Sequence, residues 1–446
     1  MTEEIRTEEI RAEEESEGTE EEVSGINESA PEKGTIIEIE EVQERVVLVG
    51  VSGQDGDDTE DSVAELAELV KTAGATVVAV LIQNREKIHP GTYVGTGKVA
   101  EIAELIEEHR ATGIVCDDEL SPAQMKNLEQ ELDTKVMDRT LVILDIFAAH
   151  ATTSEGRIQV ELAQLKYRLG RLAGFGRSMS RLGGGIGTRG PGEKKLEMDR
   201  RLIRERIAVL GRELKDIQRH RQVTRARREK HQTPVAAIVG YTNAGKSTLL
   251  NHLTGAGVME ADQLFATLDP TTRTLTLPGR QEILLTDTVG FIRKLPHHLI
   301  EAFRSTLEEA RYADYILHVV DASSPQREKQ MQIVYATLYD LGIREKTVVT
   351  LFNKQDLVTE EEPVRDFKAD YSLSISAKEG SGTDALKELL GKLLRENKIL
   401  VERTVSYADA AILQQIRKQG ELLGEEYRED GIFVRAYVPM ELYGRL

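Results

Sequence analysis

The stretch that decides the fold is AAIVGYTNAGKSTLLNHL, residues 236–253. An apolar run leads into Gly240, Gly245, Lys246 and Ser247 at the spacing GxxxxGKS, and helix-forming residues follow. This pattern is typical of a phosphate-binding loop between a strand and a helix, where backbone N–H groups and the helix N-terminus converge on an anion. The lysine offers a point charge to the β- and γ-phosphates, and the Ser247 hydroxyl is a candidate ligand of Mg²⁺.

A second motif follows the next buried strand. After the apolar residues 283–285 the chain reads DTVG, a DxxG element that runs from Asp287 to Gly290. We expect Asp287 to hold Mg²⁺ through water and the Gly290 N–H to reach the γ-phosphate. DxxG is common by chance, so it gains weight only from its place after a strand.

A third motif identifies the base. NKQD, from Asn353 to Asp356, follows the strand VVTLF, and Ser376, Ala377 and Lys378 follow the short strand SLSI. A carboxylate at Asp356 accepts hydrogen bonds from the N1–H and exocyclic amine of guanine, and adenine would leave that carboxylate unpaired. A backbone N–H of the Ser376 segment is expected to close over the base. The sequence therefore predicts GTP or GDP with Mg²⁺, rather than ATP.

Composition restricts the class of protein further. With 446 residues, 40% of them hydrophobic, the chain has room for about three domains with buried cores. A single cysteine, Cys116, cannot form an internal disulfide, which favours a reducing compartment. The N-terminus MTEEIRTEEIR is acidic, unlike a signal peptide, and the longest apolar runs are too short for a membrane span. We therefore expect a cytoplasmic protein without membrane insertion.

The net charge of −19 conceals two opposite regions. Residues 1–33 hold thirteen glutamates against three basic residues, whereas residues 157–230 hold twenty-one lysines and arginines against eight acidic residues. The basic region is the part of the chain that is suited to meet nucleic-acid phosphate. The acidic region is interpreted as a disordered leader.

Alternation of short apolar runs with amphipathic stretches predicts an α/β protein with parallel sheets. Between the two sheets, two heptad-like leucine and isoleucine patterns flank a glycine-rich interruption, which predicts an antiparallel, coiled-coil-like helical hairpin. Its apolar seam is closed within one chain, so we expect a monomer. The predicted organisation is an acidic leader (1–44), an N-terminal α/β domain (45–150), the hairpin (151–232), a P-loop GTPase domain (233–397) and a small C-terminal α+β domain (398–446).

The hairpin tip, RLGGGIGTRGPGEKK at 181–195, has glycines and basic residues but no GKS or GKT element. Glycine permits close backbone approach, and arginine and lysine supply phosphate contacts. A plain helix connector would need only a few residues and no such charge. The residues predicted to contact RNA are Arg177, Arg181, Arg189, Lys194 and Lys195.

Two patterns are interpreted as structural. GTYVGTGKV, at 91–99, imitates a phosphate loop, but its glycine spacing is one residue too long and Val99 replaces the hydroxyl residue. We predict a turn there rather than a second nucleotide site. Asp117 and Asp118 end a strand without nearby histidines, and we interpret them as a solvated face rather than a metal site.

The motifs from 234 to 390 resemble the translation-factor-related branch of P-loop GTPases, and the chain from 45 to 446 is similar to the HflX family of ribosome-associated GTPases. The resemblance rests on GTYVGTGKVAEI, GGGIGTRGPGE, FATLDPTTR and LLTDTVGFIRKLPHHLIEAFRSTLEE. It implies that Thr267 of FATLD is the switch-one Mg²⁺ ligand, where the sequence alone leaves Thr271, Thr272 and Thr274 as alternatives. It also implies binding to the large ribosomal subunit and its rRNA, and dissociation of stalled or stress-inactivated ribosomes.

The catalytic residue is unknown from the sequence. Phe291 follows DxxG where many GTPases place a water-orienting glutamine, so we expect it to pack in the switch and hydrolysis to depend on a partner. The alternative function is an RNA-binding or remodelling module that nucleotide only stabilises. The predicted metal ligands are Ser247, Thr267 and Asp287, and the predicted nucleotide-binding residues are Gly240, Tyr241, Thr242, Asn243, Ala244, Gly245, Lys246, Ser247, Thr248, Phe265, Ala266, Thr267, Leu268, Asp269, Asp287, Thr288, Val289, Gly290, Asn353, Lys354, Gln355, Asp356, Ser376, Ala377 and Lys378.

Overall fold

In the described part of the chain three sheets follow one another in sequence order. Each has a hydrophobic core on one face, and a further core is shared by the first and second sheets. The computed structural model describes residues 43–53, 58–179, 191–229, 233–255, 264–265, 269–278, 281–296, 299, 309–358, 365–396 and 398–445. Residues 1–42 of the predicted acidic leader and most of the predicted hairpin tip lie outside these residues. Residues 43–446 group as one compact unit.

The first sheet is the parallel sheet that the apolar alternation predicted. Its four strands have the order β2-β1-β3-β4 and every pair is parallel. Successive residues of β1 face opposite sides, so Leu48 packs with α1 and α4, while Val49 packs with α2 and α3. The elements are β1 (Arg45–Ser52), α1 (Thr59–Thr72), β2 (Thr76–Asn84), α2 (Thr96–His109), β3 (Gly113–Cys116), α3 (Pro122–Leu132), β4 (Lys135–Asp138) and α4 (Arg139–His150).

Two long helices follow, α5 (Ser154–Met179) and α6 (Pro191–Glu229), and they pack against each other. Leu162 and Leu210 of the predicted apolar seam are buried, and Glu161 pairs with Arg206 at 2.7 Å across the two helices. The buried Asp138 joins α5 to the first sheet, because it accepts a hydrogen bond from the Tyr167 hydroxyl (2.7 Å). We call these two helices the α5–α6 pair.

The second sheet has six strands in the order β10-β9-β8-β5-β7-β6, and all pairs are parallel except β6 with β7. Because β5 lies between β8 and β7, the phosphate-loop stretch that follows it lies at the carboxyl ends of the strands, near the middle of the sheet. A 3-10 turn at Gln355–Leu357 follows β9. The elements are β5 (Val235–Gly240), α7 (Lys246–Thr254), β6 (Thr271–Thr276), β7 (Glu282–Asp287), β8 (Tyr315–Asp321), α8 (Arg327–Asp340), β9 (Thr347–Asn353), β10 (Tyr371–Ser374) and α9 (Thr383–Glu396).

The C-terminal part is a small α+β unit, as the sequence predicted. Its three antiparallel strands have the order β11-β13-β12, and a helix covers one face. The guanidinium of Arg395 in α9 donates two hydrogen bonds, each of 2.6 Å, to the carboxylate of Glu421. The elements are β11 (Lys398–Val405), a 3-10 turn (Tyr407–Asp409), α10 (Ala410–Gln419), β12 (Glu421–Arg428), β13 (Gly431–Pro439) and α11 (Met440–Tyr443).

The first residues of GTYVGTGKV form the predicted turn, which His89 and Tyr93 close with two backbone hydrogen bonds of 2.9 and 3.0 Å, and residues 96–99 begin α2. The interpretation of the Asp117 pair as a solvated face was wrong for Asp117. Asp117 is 1% exposed and accepts a hydrogen bond of 2.7 Å from Arg139, which is also 1% exposed. A carboxylate can be buried in this way because a guanidinium compensates its charge.

This buried pair belongs to a polar cluster that joins the first sheet to the second. Glu65 of α1 binds both Arg139 and the hydroxyl of Tyr241, and Lys294 binds Asp117. Burial raises the pKa of Glu65, and the charge of Arg139 opposes that shift. The cluster therefore fixes the phosphate-loop residue Tyr241 against a carboxylate of another part of the chain.

Replacing Arg139 with methionine should destabilise the protein by about 3–5 kcal/mol, because buried carboxylates would lose their guanidinium. The matched control is Arg435→Met, since Arg435 pairs with Glu402 at 2.9 Å with both side chains about half exposed. That surface pair should contribute about 1 kcal/mol or less. Urea denaturation of the two variants measures the difference, and equal losses would show that the buried cluster stabilises no more than a surface pair.

Candidate nucleotide-binding site

The predicted phosphate loop connects β5 to α7, as the motif requires. Glycine is needed at both ends of the loop. A Cβ on Gly240 would overlap the carbonyl oxygen of Val319, and a Cβ on Gly245, whose φ is +92°, would overlap the side-chain amide of Asn353. Asn243 also has a left-handed φ of 58°. The loop thus turns tightly directly before the N-terminus of α7, the position at which a phosphate-binding loop holds an anion.

Lys246, the first residue of α7, lies inside this loop. Its side chain is 6% exposed, and Nζ donates a hydrogen bond of 2.8 Å to the carbonyl oxygen of Tyr241. Burial lowers the pKa of Lys246 to about 8, and the negative charge of Asp287 partly offsets that shift. A phosphate group at the loop would stabilise the ammonium form of Lys246 and so raise its pKa again.

Two of the three predicted metal ligands meet beside the loop. The hydroxyl of Ser247 donates a hydrogen bond of 2.8 Å to Oδ2 of Asp287, which ends β7 and is fully buried. Asp287 reaches this position because β7 pairs with β5, where Ile238 is its neighbour. A hydroxyl and a carboxylate are the oxygen ligands that Mg²⁺ prefers, so this donor set fits the ion. The third predicted ligand, Thr267, lies outside the described residues.

The DxxG element runs alongside the phosphate loop. The Phe291 N–H donates to the Gly240 carbonyl (3.1 Å), and the Thr242 N–H donates to the Phe291 carbonyl (2.8 Å). A Cβ on Gly290 would lie 2.9 Å from the Cα of Thr242 and 3.0 Å from Nζ of Lys246, so glycine alone fits without a shift. Thr288 and Val289 are buried beneath it. Phe291 is 2% exposed, so its ring packs inside the protein, as expected.

Asn353 connects the loop to the predicted base-binding segments. Its Nδ2 donates to the carbonyl oxygen of Ala244 (2.8 Å), and its Oδ1 accepts from the N–H of Ala377 (2.8 Å). In this structure the Ala377 N–H, a candidate to close over the base, is therefore engaged by Asn353. The side chain of Asn353 is 2% exposed, so water does not compete for these hydrogen bonds. They hold the phosphate loop, the end of β9 and the Ala377 segment at fixed distances from one another.

The predicted base-reading carboxylate is exposed and oriented. The hydroxyl of Ser376 donates to Oδ1 of Asp356 (2.6 Å), and this hydrogen bond lowers the pKa of Asp356. Lys354 has a left-handed φ of 62° and pairs with Asp321 at 2.7 Å. Gln355 is partly exposed and Lys378 is exposed. These side chains surround the carboxyl ends of β8, β9 and β10.

The segment that contains FATLD lies only partly within the described residues. Phe265 is 2% exposed and packs edge-on against Phe147, with ring centroids 4.7 Å apart. The carboxylate of Asp269, which we predicted among the nucleotide-binding residues, bonds to Thr152 and Thr153 just before α5. Ala266, Thr267 and Leu268 lie outside the described residues.

Sequence reasoning missed the residues that surround the site from the first sheet. Glu65 and Asp117 contact Tyr241 and Lys294 across 176 and 177 residues of chain. In addition, Tyr241 accepts a hydrogen bond at its hydroxyl from the N–H of Arg293 (2.8 Å). A single sequence contains no local signal for such contacts. The helical neighbours of Glu65 three and four residues away are mostly polar and predict an ordinary solvent-facing position: Asp61, Ser62, Glu68 and Leu69.

The predicted RNA-contacting residues lie on the α5–α6 pair or outside the described residues. Arg177 belongs to α5, and Lys194 and Lys195 belong to the first turns of α6, where Lys195 is exposed. Arg181 and Arg189 lie outside the described residues. Among the residues that the structure does describe, no helix has the length and apolar composition needed to cross a membrane.

A phosphate loop on a six-stranded sheet, a carboxylate beside its serine, and an Asn-Lys-x-Asp segment linked to that loop define the class of P-loop GTPases. Three family models match the chain: GTP-binding GTPase N-terminal over residues 60–148, GTP-binding GTPase Middle Region over 150–228, and 50S ribosome-binding GTPase over 235–354.

The relatives narrow this class to one family. GTPase HflX of Lacrimispora saccharolytica is 64% identical over 411 residues, which cover 92% of this chain and 97% of the relative. GTPase HflX of Escherichia coli K12 is 43% identical over 328 residues, or 73% of this chain and 77% of the relative. Among solved structures, the crystal structure of a GTP-binding protein from Sulfolobus solfataricus in complex with GDP shares 24% sequence identity with this chain. The match covers 78% of this chain and 98% of the Sulfolobus chain, with a TM-score of 0.43. The chain belongs to the HflX family of GTPases.

Nucleotide affinity should fall as the pH rises above about 8, because the free protein then loses the charge of Lys246. Below that pH the ammonium is already protonated and affinity should be constant, whereas above it binding requires proton uptake and weakens by at most about tenfold per pH unit. Titration of a fluorescent GDP analogue, over a range in which its phosphates are fully ionised, measures this. The Lys246→Met variant should bind weakly at every pH, and a parent profile as flat as that of the variant would contradict the role of Lys246.

Proposed function

We propose that this GTPase is switched by Mg²⁺ and GTP and binds the large ribosomal subunit through the N-terminal sheet domain and the α5–α6 pair. It separates the subunits of stalled or stress-inactivated ribosomes. The observation that carries the proposal is the charge of the predicted hairpin, of which the α5–α6 pair is the described part. In a chain with net charge −19, residues 157–230 hold twenty-one basic residues against eight acidic ones. The family model described as a 50S ribosome-binding GTPase supports the same partner.

Within the nucleotide site, we assign Ser247 and Asp287 as the residues that hold Mg²⁺. The Ser247 hydroxyl would bind the ion directly, and the Asp287 carboxylate would bind it through water. The fit of two oxygen ligands 2.8 Å apart beside Lys246 supports this assignment. Bound Mg²⁺ would neutralise charge on the β- and γ-phosphates. Thr267 remains the proposed third ligand, on the ground of the HflX resemblance.

Guanine is read by Asp356, in this proposal, with Ser376 holding the carboxylate in place. Its lowered pKa keeps the carboxylate ionised, so that it accepts hydrogen bonds and does not donate them. Asn353 contributes through position, since it sets the distance between the phosphate loop and the Ala377 segment.

Hydrolysis in the free protein should be slow. Phe291 occupies the position after DxxG, and its buried ring cannot orient an attacking water. A partner that rearranges or completes this region would raise the rate, and the large ribosomal subunit is the partner that we propose. The proposed RNA contacts are Arg177, Arg181, Arg189, Lys194 and Lys195.

Asp356→Asn should weaken GTP binding by about a hundredfold or more, since it places an amide against the guanine donor pair. The same variant should gain affinity for xanthosine nucleotides, whose ring edge presents an acceptor. Competition binding with GDP and XDP measures both changes. Asp370→Asn is the control, because that carboxylate accepts the Val348 N–H (2.8 Å) outside the site. Unchanged GDP affinity in Asp356→Asn would remove base recognition from this residue.

Large ribosomal subunits should raise the GTPase turnover by orders of magnitude. The reason is that a bound partner can complete the site and orient the attacking water, which Phe291 cannot do. Turnover is measured with and without purified subunits, and binding by co-sedimentation with GDP or a non-hydrolysable GTP analogue. A rate that subunits leave unchanged would favour the alternative, an RNA-binding module that nucleotide merely stabilises.

Replacement of residues 181–192 with a short Gly-Ser linker should leave GTP affinity intact and weaken subunit binding. The salt dependence of binding should also become shallower, because each lost phosphate contact reduces the slope. Light scattering of intact ribosomes reports splitting, which the replacement should abolish. Splitting at the parental rate would show that this tip is only a connector.

A further inference from the structure

One carboxylate fastens the chain that leads into β6 to the start of α5. Oδ2 of Asp269 accepts hydrogen bonds from the N–H of Thr152 (3.0 Å), the hydroxyl of Thr152 (2.8 Å) and the N–H of Thr153 (2.8 Å). Oδ1 accepts from the hydroxyl of Thr153 (2.5 Å). All four donors belong to the junction between α4 and α5. We call this arrangement the Asp269 contact.

The first turn of α5 is shaped around the Asp269 contact. The hydroxyl of Thr153 also accepts a hydrogen bond from the N–H of Gly156 (3.0 Å), and so caps the helix. A Cβ on Gly156 would overlap Oδ1 of Asp269, so a larger residue does not fit there. Burial raises the pKa of Asp269, but the hydrogen bonds from Thr153 and Thr152 outweigh it and hold the pKa below its usual range. An ionised carboxylate at a helix N-terminus is electrostatically favourable.

The same stretch is attached to the nucleotide site. Thr271, two residues after Asp269, is the backbone partner of Asp287 in the antiparallel β6–β7 ladder. Asp287 in turn accepts the hydroxyl of Ser247 in the phosphate loop. A short path of backbone and hydrogen bonds therefore leads from the phosphate loop to the start of α5.

We propose that Asp269 is a positioning residue that couples the nucleotide site to the α5–α6 pair. A displacement of Asp287 on nucleotide binding or hydrolysis moves Thr271, and the Asp269 contact transmits that movement to the first turn of α5. Coupling of this kind is reciprocal. A partner bound to the α5–α6 pair changes the affinity for nucleotide by the same factor by which nucleotide changes the affinity for the partner. The inference rests on the proposed function only for the identity of that partner.

Hydrogen exchange tests the coupling without any ribosome. In the parent protein, saturating GDP and a saturating non-hydrolysable GTP analogue should give different exchange in a peptide covering 152–160. The Asp269→Asn variant, with the carboxylate charge removed, should lose this difference at 152–160. Asp314→Asn is the matched control, because Asp314 accepts the Val235 N–H (2.8 Å) away from the Asp269 contact. It should respond like the parent.

Thr152 provides a variant that lies outside the nucleotide-binding residues. Thr152→Val removes one hydroxyl from the Asp269 contact and leaves the helix cap of Thr153 in place. Free-protein turnover and GTP affinity should stay within about twofold. The factor by which saturating large subunits change the affinity for the non-hydrolysable GTP analogue should fall by about fivefold or more, the lower end of typical couplings between two binding sites. Thr152→Ser keeps the hydroxyl and should restore that factor.

The outcomes separate this inference from the proposed function. The coupling is wrong if hydrogen exchange at 152–160 in the parent does not depend on the nucleotide. It is also wrong if Asp269→Asn and Thr152→Val keep the parental difference in exchange between GDP and the GTP analogue. If both variants lose that difference but ribosomal subunits do not stimulate the parent, the coupling stands and the proposed partner is wrong. Should Asp269→Asn fail to fold, Thr152→Val and Thr152→Ser decide the matter alone.

Discussion

The nucleotide site depends on the two hydrogen bonds of the Asn353 side chain. One reaches the Ala244 carbonyl in the phosphate loop and the other the Ala377 N–H, so a single planar amide sets the distance between the phosphate-binding and base-binding sides. The amide lies so close to Gly245 that a side chain there has no room. Because the group is 2% exposed, breaking either bond would leave a buried polar atom unpaired, which is costly. This explains why the loop, the turn after β9 and the segment after β10 are held together.

A second constraint acts from outside the GTPase domain. The phosphate-loop residue Tyr241 and the residues after Phe291 are held by Glu65 and Asp117 of the first sheet. Buried ionic contacts such as these require good geometry and are strongly destabilised when one partner is lost. The chain that enters β6 is held by hydrogen bonds from neutral donors, in the Asp269 contact. The segment after DxxG and the segment before β6 are therefore both bonded to other parts of the chain.

Much of the fold and of the candidate site was predictable from local pattern. The strand and helix before and after Gly240 and Lys246 fixed a phosphate loop, because the spacing of glycines and the following helix have one common structural solution. Asp287 and Asn353 each end a parallel strand of one sheet, and carboxyl ends of parallel strands meet at one edge. The interpretation of Asp117 failed because a dipeptide of acidic residues does not reveal that Arg139 lies behind it.

The sequence by itself determined the motifs of the candidate site: a phosphate loop, a hydroxyl and a carboxylate that we propose for a hard cation, and a carboxylate that we propose for guanine. These depend on residue type and short spacing, which a chain carries without folding. Only the tertiary structure decided which residues hold that chemistry in place. The bond between Tyr241 and Glu65, and the bonds between Asp269 and Thr152, join residues more than a hundred positions apart. The Tyr241–Glu65 bond is partly buried, where polar groups have little water to bond with. The Asp269 bonds are more exposed and form because the fold brings four donors around one carboxylate. In both cases the folded chain alone determines which groups meet.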